Sequence, residues 1–469
     1  MTRAIRLTVL CGLLVAAGVT PTLAAGTDDA PPGLLSPVAA PPPVTGATNS
    51  IVDFGATPDD PADDDSAAVQ AAIDASSAGD EVFVPNGVFH LKTRKITLKS
   101  GVSVRGESRA GAVLHAAFTA QDDGKNAYVF YAAPGTNGLT LSSLHLTSDG
   151  STSADTALNQ AIWLGDGDAE CQECNLDIPA VHTIRVTDVE VTKFVKMALN
   201  IRNGHDITMD GNVVHDALAD GSGGQGYGIM LGYDQTANNW IHDNLIERGA
   251  GKMRHGILLQ YRANHNLVEL NTVRDLSEDG IDLHGEDEYA NELRHNVVHD
   301  SARAGFGVGN TGGETDHGAS GPDNWIHHNE VYGSQQGLHL IMGSDATRIE
   351  FNDFHDNAEF GIQVYNGGGD DLQIRCNTLT GNSVGLRLEE SANSLVECND
   401  TSESTEESLV LTGTATGYTV RHNDFRGAPV TIDGDGGYTD NCDDDNGVTD
   451  CLATCPSDAG RETPQGRER

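Results

Sequence analysis

The sequence predicts an all-β protein, a right-handed parallel β-helix solenoid with a short capping helix near its N-terminus. The first observation behind this prediction is an asparagine that recurs nine times between apolar residues, at gaps of 22 to 33 residues. Its positions are Asn212, Asn244, Asn271, Asn296, Asn329, Asn352, Asn377, Asn399 and Asn423. A period near two dozen residues is typical of a solenoid whose coils stack on one another.

The second observation is a short apolar run that begins with glycine about nine residues after many of these asparagines. Gly256–Leu259, Gly280–Leu283 and Gly361–Val364 are examples. Apolar residues at alternate positions in such runs indicate short strands with one buried face. No coil carries the longer periodicity of a helical repeat, so we predict that strands form the coils.

The recurrent asparagines also predict how the coils are held together. Glycine and asparagine are expected at the corners, because sharp turns need left-handed backbone conformations. Asparagines stacked at one corner are expected to hydrogen-bond to one another along the axis. Two positions before the asparagine, charge alternates between coils at Glu350, Arg375, Glu397 and Arg421. This alternation predicts ion pairs between neighbouring coils, and it makes Arg294, at the same position, a structural residue.

The termini differ in composition from the repeats. Residues 1–24 resemble a secretory signal peptide, since Arg3 and Arg6 precede the apolar run Leu7–Val19 and small residues follow. Residues 25–48 hold six prolines and no Lys or Arg, which indicates a linker. We predict the β-helix domain over 49–436 and an acidic, cysteine-containing tail over 437–469. No later stretch is apolar enough to span a bilayer, so we expect a soluble monomer that is secreted or periplasmic.

The formal net charge of −41 limits the possible partners. Nucleic acid is excluded, because its recognition needs basic surface that displaces counterions. An acidic polymer would also be repelled, unless its binding site were locally basic or held a metal ion.

The cysteines suggest disulfide bonds in an exported protein. Cys376 and Cys398 each stand directly before a recurrent asparagine on adjacent coils, and neighbouring strands lie about 4.8 Å apart. A bridge between them is therefore predicted. Cys171 and Cys174 are expected to staple a local loop.

The N-terminal part of the predicted solenoid resembles a known superfamily. Asp65-Ser66 and the run Ala68–Ile73 predict a capped short helix. Together with Ile51–Ala56, the acidic run Asp59–Asp65 and Val84–Phe89, this helix resembles the opening of pectate-lyase-superfamily β-helices. The resemblance covers residues 51–106 and implies a secreted or periplasmic carbohydrate-active protein. It does not imply a reaction type, because this fold hosts lyases, hydrolases, epimerases and non-catalytic modules.

Basic residues are concentrated in one part of the chain. Lys and Arg are absent from 203–247 and from 304–347, and seven of them lie between those gaps. We call this segment, 248–303, the basic window; its members are Arg248, Lys252, Arg254, Arg262, Arg274, Arg294 and Arg303. The window is where we expect an anionic group to be held.

The densest polar run of the chain, Glu278–Tyr289, lies inside the basic window. If Ile281 and Leu283 point inward, alternation places Asp282 and His284 on the outer wall. The same frame brings residues of the preceding and following coils beside them, and the small Gly307 and Gly309 leave room above. Insertions at 217–227 and 311–322 are expected to form the walls of a cleft.

These residues predict a site for β-elimination on a uronate polymer. The reaction removes the C5 proton, neutralises the adjacent carboxylate and protonates the leaving oxygen. The predicted catalytic residues are His255, Tyr261, Arg262 and His284. The predicted substrate-binding residues are Arg254, Tyr289, Arg303 and Asn310. A calcium ion, if present, would be held by Asp282, Glu286 and Glu288.

We therefore expect a polysaccharide lyase that acts on an acidic polysaccharide such as alginate or pectate. A glycoside hydrolase using two of Asp279, Asp282, Glu286 and Glu288 is an alternative. So is a C5-epimerase, although the sequence lacks the Asp-Pro-His run of mannuronan epimerases. A non-catalytic carbohydrate-binding or surface solenoid remains a fourth possibility.

Overall fold

The computed structural model describes residues 35, 38, 40–93, 95–119, 127–167, 173–221, 223–285, 287–309, 320–413, 415–443, 448 and 451–454. All described residues belong to one compact unit, Leu35–Arg469. The predicted signal peptide, residues 1–24, lies outside the described residues. Among the residues described, no helix has the length and apolarity needed to cross a membrane.

The described strands form two parallel sheets that coil around one apolar core. The 13-stranded sheet consists of Ile96–Thr97, Tyr128–Ala132, Gln160–Gly165, Met197–Arg202, Tyr227–Gly232, His255–Gln260, Ile281–Leu283, Ala304–Val308, Gln336–Ile341, Phe360–Tyr365, Val384–Glu389, Glu407–Thr412 and Val430–Ile432. Successive strands pair in register, as Ile229 with Ile257 and Ile257 with Ile281. Because each coil returns to the same sheet by a parallel crossover, the architecture is the predicted right-handed parallel β-helix.

The 23-stranded sheet forms the remaining walls of the coils. Its strands are Thr48–Ser50, Glu81–Val84, Gly87–Leu91, Ser103–Gly106, Ala112–Ala116, Asn137–Ser148, Val181–Val191, Gly204–Asp210, Val213–Val214, Trp240–His242, Leu245–Glu247, Leu267–Glu269, Thr272–Arg274, Glu292–Arg294, Val297–His299, Trp325–His327, Glu330–Tyr332, Arg348–Glu350, Asp353–His355, Gln373–Arg375, Leu395–Glu397, Thr416–Arg421 and Asp435–Thr439. Aliphatic side chains such as Val268, Leu293 and Ile326 stack in register and are fully buried. Burying each contributes about 1.5–3 kcal/mol.

The predicted asparagine ladder is confirmed. From Asn212 to Asn423, the Nδ2 group of each recurrent asparagine donates to Oδ1 of the next at 2.9–3.0 Å, and the ladder continues to Asn441. The left-handed residue of this corner is not the asparagine but the one before it, such as Leu270 or Phe351. The asparagine is required instead for its side-chain amide, which replaces backbone pairing at the turn.

Two further ladders occupy other corners and escaped the sequence analysis. One joins Asn239, Asn266, Asn291 and Asn324 through Nδ2–Oδ1 bonds of 2.9–3.1 Å. The other includes a 3.1 Å bond from Asn357 to Asn382. Each ladder satisfies corner groups that would otherwise be buried without partners.

The predicted ion pairs between coils are also confirmed. Arg375 lies 3.7 Å from Glu350 and 3.2 Å from Glu397, and Arg421 lies 2.7 Å from Glu397. Arg294 pairs with Glu269 at 2.6 Å, so it is structural as expected.

One α-helix, Ser66–Ala75, lies among the described residues, with three 3-10 helices at Ile51–Phe54, Glu173–Asp177 and Cys451–Thr454. Val69, Ala72 and Ile73 bury one face of the α-helix against the core. Asp65 does not cap it through its side chain. Its carboxylate instead accepts backbone N–H bonds from Thr57 and His90, which tie the helix to the first coils.

The predicted Cys376–Cys398 bridge is wrong. Cys398 is disulfide-bonded, but its partner is not Cys376. Side chains at equivalent positions of stacked parallel strands point the same way rather than toward each other, which disfavours the bond. In the tail, Cys442 pairs with Cys451.

Candidate active site

The side chains of Asp282 and His284 point away from the core on the 13-stranded sheet, as strand alternation predicted. Ile281 and Leu283 are fully buried in the core. Asp282 pairs in register with Leu258 of the preceding coil and Gly307 of the following coil. Although it points away from the core, Asp282 is only 1% exposed, while the His284 side chain is 21% exposed. The pair therefore joins a buried carboxylate to an accessible imidazole.

His255, Asp279 and Asp282 form a buried cluster at the centre of the site. The His255 Nδ1 atom lies 3.4 Å from Asp282 Oδ2 and 3.8 Å from Asp279 Oδ2. One nitrogen or oxygen atom from each residue falls within 4.8 Å of the other two. His255 Nε2 lies 3.3 Å from Glu278 Oε2, and Asp282 Oδ1 has no hydrogen-bond partner among the described residues. Buried polar atoms without partners are rare and mark a place that a ligand can complete.

The contact between Asp282 and His284 fixes the imidazole. His284 Nδ1 lies 3.0 Å from Asp282 Oδ2. An ionised carboxylate only accepts hydrogen bonds, so Nδ1 carries the proton and Nε2 is the basic nitrogen. The arrangement is that of a general base oriented by a carboxylate.

Two arginines frame the cluster, and each is held by an acid. Arg303 Nε donates to Asp279 Oδ1 at 2.7 Å, and Arg303 Nη2 contacts Oδ2. Burial opposes ionisation of Asp279, but Arg303 outweighs it and lowers the pKa of that carboxyl. Arg254 pairs with Glu278 at 2.8 Å. Burial likewise opposes the charge on Glu278, and contacts with His255 and Arg254 outweigh it and lower its pKa to about 2.

Gly307 lets the carboxylates of Asp279 and Asp282 pack closely against its strand. A Cβ atom at this position would lie 2.8 Å from Asp279 Oδ2 and 2.9 Å from Asp282 Oδ1, closer than such atoms approach in proteins. The next coil places His339, which is 1% exposed and pairs in register with Gly307, on the other side of this glycine. The room expected above Gly307 stays a prediction.

Several predicted site residues lie elsewhere. The strand ends at Gln260, and Tyr261 and Arg262 follow in left-handed conformations with φ of 51° and 67°. This turn ends the inward–outward alternation of the strand. Tyr261 stacks on Tyr233 at 4.9 Å, and Arg262 pairs with Asp234 at 3.1 Å.

The loop after the strand Ile281–Leu283 also departs from the prediction. Glu288 is fully buried and accepts the backbone N–H of Gly285 at 3.0 Å, so it closes the turn. The Tyr289 ring contacts His265 at 5.7 Å. Asn310 and Glu286 lie outside the described residues. Of the proposed calcium ligands, Asp282 is the one that the structure places in the cluster.

The structure thus brings together His255, Asp282, His284, Arg254 and Arg303 of the predicted site residues. It adds residues that sequence reasoning had not assigned to an elimination site, namely Glu278, Asp279 and His339. Asp279, preceded by Glu278, stands directly before Gly280, just as His255 stands directly before Gly256 one coil earlier. Aligning the coils on these two glycines would have placed Glu278 and Asp279 beside His255.

The basic window is not an open cationic surface. Each of its seven members lies within ion-pair distance of an acid; the pairs are Arg248–Asp275, Lys252–Asp220, Arg254–Glu278, Arg262–Asp234, Arg274–Glu247, Arg294–Glu269 and Arg303–Asp279. Acids on neighbouring coils therefore balance the charge of these cations, and anion binding by the window stays a prediction.

Comparison with solved structures finds other parallel β-helices. The A-module of mannuronan C-5 epimerase AlgE6 from Azotobacter vinelandii has a TM-score of 0.58 at 16% identity, and the match covers 84% of this chain and 99% of that one. PfbA, a surface adhesin of Streptococcus pneumoniae, has a TM-score of 0.59 at 14% identity, covering 81% and 92%. At these identities the likeness establishes the fold alone.

A third solved structure is the catalytic unit of a GH87 alpha-1,3-glucanase from Streptomyces thermodiastaticus, with a TM-score of 0.54 at 14% identity, covering 88% of this chain and 72% of that one. No curated protein sequence matches the chain. A family model does match: the one described as periplasmic copper-binding protein (NosD) matches residues 172–359 and 277–442. Since these stretches together run over more than half of the 469 residues, the chain belongs to the NosD family.

Proposed function

We propose that the protein is an exported carbohydrate-active enzyme whose catalytic centre is built on Asp282 and His284. The observation that supports this most directly is the 3.0 Å contact in which a buried carboxylate orients an accessible imidazole. His255, Asp279 and Gly307 complete the centre. Structural neighbours that are named as an epimerase and a glucanase agree with an enzyme on this scaffold.

The reaction that we propose is β-elimination on a uronate-containing polysaccharide. His284 Nε2 takes the C5 proton of a uronate residue, and Asp282 stabilises the imidazolium that forms. The electron pair released from the C5–H bond forms the C4–C5 double bond, and the C4–O bond breaks. The departing oxygen takes up a proton, for which solvent water suffices. Arg254 and Arg303 hold Glu278 and Asp279 ionised beside the reacting carbon.

Product analysis tests this proposal. The purified chain is incubated with alginate, pectate and other polyuronates, with and without a chelator, and the ultraviolet absorbance of the C4–C5 unsaturated product is followed. We expect absorbance to rise with at least one polymer. Deuterium uptake at C5 without chain cleavage would replace the lyase by an epimerase. New reducing ends without unsaturation would replace it by a hydrolase.

A second function, metal binding, is favoured by a separate observation. The family to which the chain belongs is described as copper-binding. One ring nitrogen of His255 and one carboxylate oxygen from each of Asp279 and Asp282 lie within 4.8 Å of one another, and Asp282 Oδ1 makes no hydrogen bond among the described residues. An imidazole nitrogen with carboxylate oxygens is a donor set that suits divalent copper. His255, Asp279 and Asp282 are the residues that would hold it, and a bound cupric ion would supply Lewis acidity.

Direct titration separates this function from the first. The full chain is titrated with Cu²⁺, and the electron paramagnetic resonance spectrum is recorded for nitrogen hyperfine coupling. If the cluster holds copper, His255→Ala removes the bound signal, whereas the control His299→Ala, on the other sheet, retains it. A wild-type spectrum equal to that of His255→Ala would exclude the cluster as a copper site.

A further inference from the structure

Arg202 differs from the cations of the basic window. It ends the strand Met197–Arg202, and its guanidinium lies over the rings of Trp163 and Tyr233, at 4.4 and 5.3 Å. One Nη1 group donates to the Tyr233 hydroxyl at 3.1 Å. Within the part of the chain that the structure describes, no carboxylate lies at ion-pair distance from Arg202, and its Nε has no hydrogen-bond partner. Arg202 therefore keeps its charge available in a strongly acidic protein.

A buried amide beside Arg202 also lacks partners. Asn200 lies two residues before it on the same strand and is fully buried, and neither Oδ1 nor Nδ2 has a hydrogen-bond partner among the described residues. Such a group is satisfied by bound water or by a ligand. It offers a donor and an acceptor of the kind that bind sugar groups.

The position of Arg202 relates it to the catalytic centre. It pairs in register with Gly232, and Gly232 with Gln260. His284 comes next in this column, since the preceding Leu283 pairs with Leu259. Three steps between strands separate Arg202 from His284, or roughly 14 Å. A polysaccharide chain lying along the solenoid axis would therefore contact Arg202 a few sugar units away from the residue at His284.

We propose that Arg202, with Asn200, forms a subsite for the carboxylate of an acidic sugar unit, and so selects a uronate polymer. This inference rests on the function proposed above and resolves a difficulty in it. The arginines at the catalytic centre are committed to Glu278 and Asp279. Arg202 then recognises the anionic chain, because its planar guanidinium group can donate two parallel hydrogen bonds to a carboxylate.

Binding measurements on the full chain test the subsite. His284→Gln serves as the parent, so that oligosaccharides are not consumed. Calorimetry measures affinity for hexamers of mannuronate, guluronate and galacturonate, and for the same hexamers with their carboxyl groups reduced. We expect Arg202→Gln to weaken binding of the preferred uronate at least about tenfold and to leave the reduced hexamer unaffected. Arg202→Lys should recover part of the loss.

Arg274→Gln is the matched control, because it removes the same charge from a cation paired with Glu247 in the other sheet. It should bind every hexamer as the parent does. Uronate binding unchanged in Arg202→Gln would overturn the subsite while leaving the proposed lyase intact. Equal losses for uronate and reduced hexamers would also overturn it, because they would indicate a packing role. A parent that binds no uronate, with no lyase activity in the wild type, would overturn both proposals.

Discussion

Replacing Asp282 by asparagine is expected to lower turnover by about 10³–10⁴ and to leave the fold intact. Asparagine matches the volume of aspartate, so the buried packing is retained. Its side-chain amide, however, can donate to His284 Nδ1 across the 3.0 Å contact. The imidazole then carries its proton on Nε2 and cannot accept one from the substrate.

Asp300→Asn is the matched control for this substitution. Asp300 contacts His299 Nδ1 at 2.7 Å on the other sheet, so the same chemical change is made to a His–Asp pair outside the proposed site. Initial rates and circular dichroism spectra of the two variants are compared with the wild type. Full activity in Asp282→Asn, or equal losses in both variants, would remove the dyad from the mechanism.

Asn329→Ala is expected to destabilise the β-helix by about 3–4 kcal/mol. Asn329 lies in the middle of the ladder and is 2% exposed. Its Nδ2 group donates to the carbonyls of Leu293 and His327 and to Asn352 Oδ1, and its Oδ1 accepts from the backbone and side chain of Asn296. Alanine leaves these buried donors and acceptors without hydrogen-bond partners.

Asn441→Ala provides the comparison, because Asn441 is the last rung and receives the ladder from one side only among the described residues. Denaturant unfolding followed by circular dichroism measures both variants. The ladder interpretation predicts a clearly larger loss for Asn329→Ala. Equal and small losses would mean that strand pairing alone holds the corners.

The fold was predictable because each coil repeats the same physical requirement. The corner asparagine must pair with its neighbours above and below, so it recurs, and the buried strand positions recur with it. The ladder through Asn239, Asn266, Asn291 and Asn324 has the same gaps, five residues earlier in each coil. It was missed because its members lack the flanking apolar pattern on which the first ladder was recognised.

The site was predictable where the chain remains in a regular strand. Alternation around Ile281 and Leu283 correctly placed Asp282 and His284 on the side away from the core. After Gln260 the backbone adopts left-handed conformations, so the alternation of strand side chains no longer predicts the directions of Tyr261 and Arg262.

Counting cations along the sequence had a different weakness. The acids that neutralise the basic window lie at sequence separations of 24 to 32 residues, as in Arg303 with Asp279 and Lys252 with Asp220. Such pairs become visible only when the coils are stacked in register. The same stacking reveals that Arg202, outside the window, is a cation held by aromatic rings rather than by an acid.

The most direct test of the catalytic centre is the activity of Gly307→Ala on the polyuronate that the wild type cleaves. The added methyl group would fall between the carboxylates of Asp279 and Asp282 without changing any of the polar residues. We predict a loss of activity of at least about 100-fold, with a melting temperature lowered by only a few degrees because the crowding is local. Gly437→Ala, where the nearest atom to the new Cβ is 4.0 Å away, should remain fully active. Wild-type activity in Gly307→Ala would show that the reaction takes place elsewhere on the solenoid.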